Sequence, residues 1–321
     1  MDSKWTHQFW NRVLQGFIVG TMLLMLMVTS LYTEAGGERL VEEIERWRTE
    51  IQRDPAFTSW EHAKWEKVAM GPNTHQWLIT LSLDNKIVGY MVIGIKQSVL
   101  LKEEDHPWVL LEYGLGEYPL FSHQLLPKGL QRKDGQITYA YHGLESLFLL
   151  QLSDQKKGKK ERGTDKKQAT IYYLNGKSGE EYPVEWFKRS SSFRYTQPTS
   201  QLTSTTHLQE WYAIQGTESD PFFTDPYYSI YWSVESDRVA LNSADQIKAL
   251  LQEAGTPRIT YVTQLFNKKL LAPYRVSGYH HWSTGETFIA LEDEGKRYLS
   301  YAYLLQLGGS FYMERDQPDL Q

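Results

Sequence analysis

The chain has 321 residues and no cysteine. This excludes disulfide bonds, thiolate metal ligands, lipid attachment through cysteine and a cysteine nucleophile. Basic character is also lacking, because the formal net charge is −5 and no basic stripe runs along the chain. A nucleic-acid-binding protein needs such a stripe, so we expect no nucleic-acid partner.

Several motifs that carry chemistry are missing. There is no H-E-x-x-H motif and no pair of histidines four residues apart, so we expect no metal site. There is no G-x-S-x-G nucleophile elbow. No glycine-rich phosphate loop precedes a helix, so we expect no cofactor.

Aromatic residues are plentiful, at 14% of the chain with 21 Tyr and 11 Trp. Such residues favour half-buried strands. A length of 321 residues suggests two domains.

Residues 13–32 form an uncharged apolar stretch. Twenty helical residues span about 30 Å, which matches a bilayer core. Lys4 and Arg12 precede the stretch, so the positive-inside rule predicts a cytoplasmic tail at residues 1–12 and an extracytoplasmic chain from residue 33. We therefore expect a single-pass cell-membrane protein that contacts the membrane through residues 13–32. The alternative is a cleaved signal peptide, with a small-x-small site at residues 33–35.

The outer part divides by its patterns into two modules. Residues 33–189 contain predicted helices at 38–53 and 60–68, then strands at 76–83, 87–95, 108–113, 147–151 and 169–174. Residues 153–167 carry seven basic and three acidic residues and no apolar one, which predicts a solvated loop. The Ser/Thr-rich residues 190–206 form a predicted linker. Residues 207–321 contain a predicted helix at 243–254 and strands at 258–262, 274–279, 287–292 and 297–301.

Three segments of the second module carry a resemblance. They are LLQEAGTPRITYV (250–262), YRVSGYHHW (274–282) and FIALEDEGKRY (288–298). They resemble the second half of papain-like bacterial cysteine peptidases, of the bacteriocin-processing and streptopain kind. VGYMVIG (88–94) and VLLEYGLGEYPLF (109–121) are similar to the cystatin-like pro-domain of streptopain-type enzymes. The resemblance implies an α+β fold with a cystatin-like module followed by a papain-like module, each containing an antiparallel sheet.

The sequence departs from that family at its chemistry. The nucleophilic cysteine is missing, and His280 and His281 follow the Gly-Tyr pair instead of preceding it. The resemblance therefore implies an inactive relative. The candidate catalytic residues are His280, His281 and Asp293, to which Ser204, Thr206 or Ser277 could add a hydroxyl. Adjacent histidines on a strand point to opposite faces, so they cannot easily bind one metal ion together.

The aromatic run PFFTDPYYSIYW at residues 221–232 is the candidate binding surface. Tyr227, Tyr228 and Trp232, together with Trp282, could line a groove for a peptide or a glycan. The expected partner is a peptide or another surface protein. The same rings could instead fill a core.

These observations favour a membrane-anchored extracytoplasmic binding or regulatory protein that is peptidase-like and non-catalytic. One alternative is a cell-surface hydrolase with a Ser or Thr nucleophile. Another is a structural subunit of a membrane assembly.

Overall fold

A computed structural model describes residues 39–71, 74–96, 107–128, 130, 135–153, 169–187, 195–214, 233, 236–241, 243–252 and 258–314. The chain divides into two compact units, residues 1–47 and residues 48–321. Helix α1 covers residues 39–51. In the first unit this helix buries Leu40, Ile44 and Trp47, whose spacing of three and four residues puts them on one face.

The second unit is built mainly from strands. In chain order these are β1 (Lys64–Met70), β2 (Gln76–Leu83), β3 (Lys86–Ile95), β4 (Trp108–Leu115), β5 (Gln136–Ala140), β6 (Leu147–Ser153), β7 (Ala169–Asn175), β8 (Glu181–Tyr182), β9 (Leu208–Ala213), β10 (Ser236–Val239), β11 (Ile259–Leu265), β12 (Leu270–Trp282), β13 (Thr287–Glu292), β14 (Lys296–Ser300) and β15 (Ser310–Glu314). The helices are α2 (Ala244–Gln252) and α3 (Tyr301–Gln306), and short 3₁₀ helices lie at Pro55–His62, His123–Leu125, Gly143–Glu145 and Val184–Trp186.

Eleven of these strands form one large sheet, in the order β1-β2-β3-β4-β14-β13-β12-β11-β15-β10, with β9 paired to β12. All its pairs are antiparallel. Strand β4 pairs with β14, so strands from either side of residues 190–206 share the sheet. Strand β1 lies at one end of the order, and its Lys64, Glu66 and Lys67 are exposed.

Strand β12 changes its partner along its length. Its first half pairs with β11 and its second half with β9, while β13 runs along its other side. The register with β13 shifts between Val276 and Gly278, and Gly278 lies against the backbone of Tyr212 on β9. A Cβ at residue 278 would stand 2.2 Å from the Tyr212 carbonyl oxygen, so this close approach requires glycine.

The remaining four strands form a small sheet in the order β5-β6-β7-β8. Apolar residues from β2, β3 and β4 and from this small sheet share one buried core, which includes Leu78, Val92, Phe148 and Leu174. A second buried cluster joins β11, β12 and β13 to α2 and α3. Both clusters lie against the same face of the large sheet, because Val92 of the first cluster pairs with Glu112, and Glu112 pairs with Leu299 of the second.

The expectation of an α+β fold with a transmembrane helix is wrong. The described residues form mainly β-sheet, and they contain short helices beside two antiparallel sheets. The aromatic and β-branched residues of the second unit favour strands. Most of these strands pair in one large sheet, so β-structure predominates among the described residues.

The expected membrane anchor and cell-membrane localisation are corrected by the same structure. Of the helices in the described part of the chain, none has the length and apolar character needed to cross a bilayer. Residues 13–32, the site of the predicted anchor, lie outside the described residues. The cytoplasmic tail predicted at residues 1–12 lies outside them as well.

Candidate functional site

His280 lies in the interior. Its side chain is 0% exposed, and its ring packs 4.3 Å from the ring of Tyr298 and 5.5 Å from that of Phe57. Its Nδ1 lies 2.8 Å from the Tyr113 hydroxyl, and its Nε2 lies 2.9 Å from Oδ2 of Asp54. The residue therefore links β12 to β4 and to the residue that caps the 3₁₀ helix at Pro55–His62.

The partners of His280 define its protonation. A carboxylate only accepts hydrogen bonds, so Nε2 donates to Asp54 and Nδ1 accepts from Tyr113. Burial lowers the pKa of His280, so its ring is neutral at neutral pH. Burial alone raises the pKa of Asp54, but hydrogen bonds from His280 and from the Ala56 amide outweigh it and the net pKa is lowered. The pair is a neutral imidazole on a carboxylate, enclosed by rings and out of reach of a substrate.

His281 points to the other face of β12. Its Nδ1 lies 2.9 Å from Oγ1 of Thr287, its register partner on β13. Thr287 is only 3% exposed, so its hydroxyl is not placed to attack a substrate. Within the described ranges no carboxylate bonds to the other nitrogen of His281, although Glu210 is its register partner on β9. Burial lowers the pKa of His281.

Asp293 is not brought to either histidine by a hydrogen bond. Its Oδ2 accepts from Nη1 of Arg297 at 2.7 Å, in the turn between β13 and β14. Of the proposed hydroxyls, Ser277 is fully buried, Ser204 is 5% exposed and Thr206 donates to the Thr203 carbonyl at 2.6 Å. None of the three bonds to a histidine in the part of the chain that the structure describes.

The predicted aromatic surface is only partly described. Trp282 is 0% exposed, and its ring lies edge-on to Tyr113 at 6.2 Å. It therefore presents no ring to a ligand. Tyr227, Tyr228 and Trp232 lie outside the described residues, as does most of the basic loop predicted at 153–167.

A different site is formed by a cleft of about 800 Å³ in the second unit. One wall comes from the start of β2 and the end of β3, another from the loop after β5, and a third from the extended residues 197–203 with Thr284. The lining residues are Thr74, His75, Gln76, Gly94, Ile95, Lys96, Val109, Leu111, Tyr141, His142, Gln197, Pro198, Thr199, Ser200, Gln201, Thr203 and Thr284. Thr74, His75, Gln197 and Thr199 are exposed, so the cleft opens to solvent.

A bulge in β4 shapes the floor of the cleft. The pairing of β3 with β4 shifts between Val92 and Ile93, so that Val92 faces Glu112 while Ile93 faces Leu110. Two residues then oppose one at this point, which breaks the alternation of side chains. Leu111 lies in the cleft floor, and the next residue, Glu112, accepts a hydrogen bond at 2.9 Å from Tyr141, which also lines the cleft.

A buried ion pair holds the loop after β5. Arg297 donates from Nε and Nη2 to the two carboxylate oxygens of Glu112, at 2.8 and 3.1 Å. Its Nη2 also donates to the Gly143 carbonyl at 2.9 Å. Both charged side chains are almost fully buried, at 2% and 0% exposed. A bidentate pair of this kind fixes geometry as well as charge.

Tyr303 on α3 completes this support. Its hydroxyl donates to the His142 carbonyl at 2.8 Å and accepts from the Leu144 amide at 2.9 Å. Gly143 lies between these contacts at φ +61, and a Cβ there would stand 2.3 Å from the Tyr303 hydroxyl. The left-handed backbone and the close contact both require glycine.

His142 supplies the imidazole of this loop. Its ring stacks on Tyr195 at 3.9 Å between centroids, and its Nδ1 is hydrogen-bonded to the side-chain nitrogen of Gln197. An amide nitrogen only donates, so Nδ1 accepts and the ring proton lies on Nε2. Burial lowers the pKa of His142 to about 4, so the ring stays neutral above that pH.

The third wall is pinned to two neighbouring elements. Glu286, beside β13, accepts from the Ser200 hydroxyl at 3.1 Å and from the Gln201 amide at 2.9 Å. The Leu110 amide on β4 donates to the Leu202 carbonyl at 3.0 Å. Burial raises the pKa of Glu286, and the hydrogen bonds that it accepts oppose this. The loop after β5 and the third wall are therefore held by residues outside the cleft lining.

The cleft could not be predicted from the sequence, because its residues are dispersed along the chain and each residue type is common. The only local signals were Gly143 in the YHGLE segment and the extended Gln-Pro-Thr-Ser-Gln segment at 197–201. The described ranges contain no cluster of three or more His, Asp or Glu that could hold a metal ion.

No protein-family model matches the chain, and comparison with curated proteins finds no match either. The resemblance to papain-like peptidases and cystatin-like pro-domains therefore stays a prediction that depends on short motifs.

Proposed function

We propose that the protein is a non-catalytic binding protein that holds a polar ligand in the cleft. The observation that carries this proposal is the cleft itself. Its volume of about 800 Å³ suits a small ligand or a short segment of a polymer. Its floor is apolar and its walls carry hydroxyl, amide and imidazole groups, the combination by which pockets bind and orient ligands.

The rigidity of the walls supports binding. Arg297 and Tyr303 hold the backbone of the loop that bears His142, and Glu286 holds the third wall. A site that is ordered before its ligand arrives loses less conformational entropy on binding.

The chemistry of the lining favours recognition over catalysis. His142 bonds to an amide, and none of the described hydroxyls in the lining bonds to a histidine. The Ser200 hydroxyl donates to the Glu286 carboxylate, which also accepts from the Gln201 amide, so no imidazole is placed to take the Ser200 proton. Two described histidines have a carboxylate partner: His280 is enclosed in the core, and His207 bonds to Glu50 outside the cleft lining.

The test is a screen by ligand-observed NMR with a chemically mixed library of small polar compounds. Thr199 is exposed on the cleft wall, so Thr199→Trp should fill the cleft without disturbing the core. Thr170 is exposed on β7 and lies outside the lining, so Thr170→Trp is the matched control. We expect some compounds to bind the unaltered chain and the control but not Thr199→Trp. Equal binding to all three chains would contradict the proposal.

A further inference from the structure

Residues 195–202, which supply most of the third wall of the cleft, form a strap with no helix or strand of its own. Within the described ranges, one hydrogen bond between backbone groups holds the strap, from the Leu110 amide to the Leu202 carbonyl. Its other fixed points are side chains on neighbouring elements. Such a segment opens at a smaller free-energy cost than a paired strand does, because few backbone hydrogen bonds are lost.

His142 holds the first part of the strap. Its ring stacks on that of Tyr195 at 3.9 Å between centroids, and its Nδ1 accepts a hydrogen bond from the side-chain amide of Gln197. A protonated imidazole carries a hydrogen on both nitrogens, so protonation of His142 breaks this bond. The new charge would also be half-buried, and burial disfavours it. Protonation therefore favours a released strap, in which the ring reaches water.

Two carboxylates hold the strap as well. Glu145 accepts from the Thr196 amide, and Glu286 accepts from the Ser200 hydroxyl and the Gln201 amide. Burial raises the pKa of both carboxyl groups. The held strap therefore binds their protons more tightly than a released strap does, and through these two groups acid favours the held state. Their effect is opposite in sign to that of His142.

The other charged groups around His142 come from several elements. Arg297 on β14 donates to the backbone of the loop after β5 and is paired with Glu112 on β4. His75 and Lys96 line the same cleft from the side of β2 and β3. These groups are unchanged in a variant that alters residue 142 alone. A comparison of that variant with the unaltered chain therefore isolates the imidazole.

We infer that His142 is an acid-sensitive latch that holds the strap across the cleft at neutral pH and releases it in mild acid. Because the strap is a wall of the cleft, its release opens the cleft and lets an occupant leave. The inference goes beyond the proposed binding function, because release of the strap can be measured with no ligand present.

The size of the effect follows from proton linkage. The pKa of His142 is about 4 while the strap is held, and it returns to the ordinary value of 6.5 when the ring is exposed. Between these values the released state binds more protons at this residue, so acid favours release. The ratio of released to held strap should then rise about twenty-fold between pH 7 and pH 5 through His142 alone.

The experiment is hydrogen exchange of the full chain, measured by NMR at pH 7 and pH 5 and corrected for the intrinsic pH dependence of exchange. The reporter is the amide of Thr196, which lies between the two strap residues that His142 contacts. The amide of Val92 in the buried strand β3 reports global unfolding. We expect protection at Thr196 to fall about twenty-fold more in the unaltered chain than in His142→Asn.

His142→Asn is the informative variant because its Oδ1 accepts from Gln197 at every pH and does not titrate. His62→Asn removes an exposed histidine outside the cleft lining and should behave like the unaltered chain. Equal losses of protection in the unaltered chain and in His142→Asn would overturn the inference. An equal loss at Thr196 and Val92 would also overturn it, because acid would then unfold the whole unit.

A second measurement needs no variant that must fold. An NMR titration of the histidine rings of the unaltered chain should give His142 a pKa of about 4, and a value near 6.5 would overturn the latch. Neither measurement uses a ligand. The proposed binding function is judged separately, by Thr199-dependent binding of the mixed library.

Discussion

His280 is a candidate catalytic residue by sequence, and in the structure its side chain is buried in the core. Its two nitrogens bond to Asp54 and Tyr113, and three aromatic rings surround it. Its two hydrogen-bond partners lie 226 and 167 positions away, so the sequence around Gly278 holds no sign of them. The adjacent His281 bonds to a threonine on the neighbouring strand. The environments of the two histidines differ because consecutive residues of a strand point to opposite faces.

Replacing His280 should be costly to stability. In His280→Phe the Asp54 carboxylate stays buried without its imidazole partner, so we expect the free energy of unfolding to fall by about 3 kcal/mol or more. Tyr113→Phe removes one neutral hydrogen bond and should cost about 1–3 kcal/mol. Urea denaturation of both variants measures the difference. Equal stabilities for His280→Phe and the unaltered chain would show that the pair is not a structural link.

Lys177 is the second unusual residue at this scale. It is 1% exposed, its Nζ donates to the Tyr118 carbonyl, and it lies 5.4 Å from the centre of the Tyr90 ring. Burial lowers the pKa of Lys177 to about 8, and the nearby positive charge of Arg297 adds to this. The folded protein therefore holds the Lys177 proton less tightly than the unfolded chain does.

This shift gives Lys177 a defined effect on stability. Between pH 8 and about 10.5 the unfolded chain binds more protons at this residue, so its contribution to stability rises with pH. The full rise is about 3 kcal/mol. Lys177→Met should lose little stability at pH 7 and should lack this rise. Denaturation curves from pH 7 to 10 for both chains measure it, and identical pH profiles would contradict the assignment.

At the scale of elements, both strands of the hairpin formed by β2 and β3 were predicted from the sequence. Its apolar runs flank Asp84 and Asn85, which adopt left-handed backbone angles of φ 50 and φ 62, as turn residues often do. The prediction of a helix at 60–68 was wrong, because residues 64–70 form β1. Its exposed edge position carries little apolar signal, and pairing with β2 decides its conformation.

The cleft could not be predicted for a related reason. Its floor depends on the bulge in β4, and its loop depends on Arg297 and Tyr303, which lie 154 and 161 residues away in sequence. Local patterns do not encode such pairings. The strands at 108–113 and 287–292 were predicted from their apolar runs, but their place in one sheet was not.

The loop after β5 gives the prediction for this scale. Tyr303→Phe removes the hydroxyl that bonds to His142 and Leu144, so we expect a loss of about 1–3 kcal/mol in unfolding free energy. Binding in the cleft should weaken as well, because the loop is no longer held in place. Tyr172→Phe on β7 is the matched control for both measurements. Unchanged stability and binding in Tyr303→Phe would mean that the loop is ordered by other contacts.

At the scale of the whole molecule, the pairing of β4 with β14 determines how the second unit unfolds. Arg297 on β14 bonds to Glu112 on β4, so the ion pair and the strand pairing join segments that flank residues 190–206. A sheet shared in this way transmits disruption from one segment to the other.

Calorimetry of the full chain should therefore show residues 48–321 unfolding in one transition, with equal calorimetric and van't Hoff enthalpies. Arg297→Met leaves Glu112 buried without its cation and should lower the midpoint of that whole transition. Two separate transitions, with only one moved by Arg297→Met, would indicate independent modules before and after residues 190–206.

The position of β1 at the end of the large sheet has a consequence for solubility. An unpaired strand edge offers backbone groups on which a second chain can add by β-pairing, the first step toward fibres. Lys64, Glu66 and Lys67 place charged side chains along this strand, where they hinder a like copy from adding in register. Strand β1, whose sequence carries little apolar signal, thus hinders the addition of a strand from another molecule at this edge of the sheet.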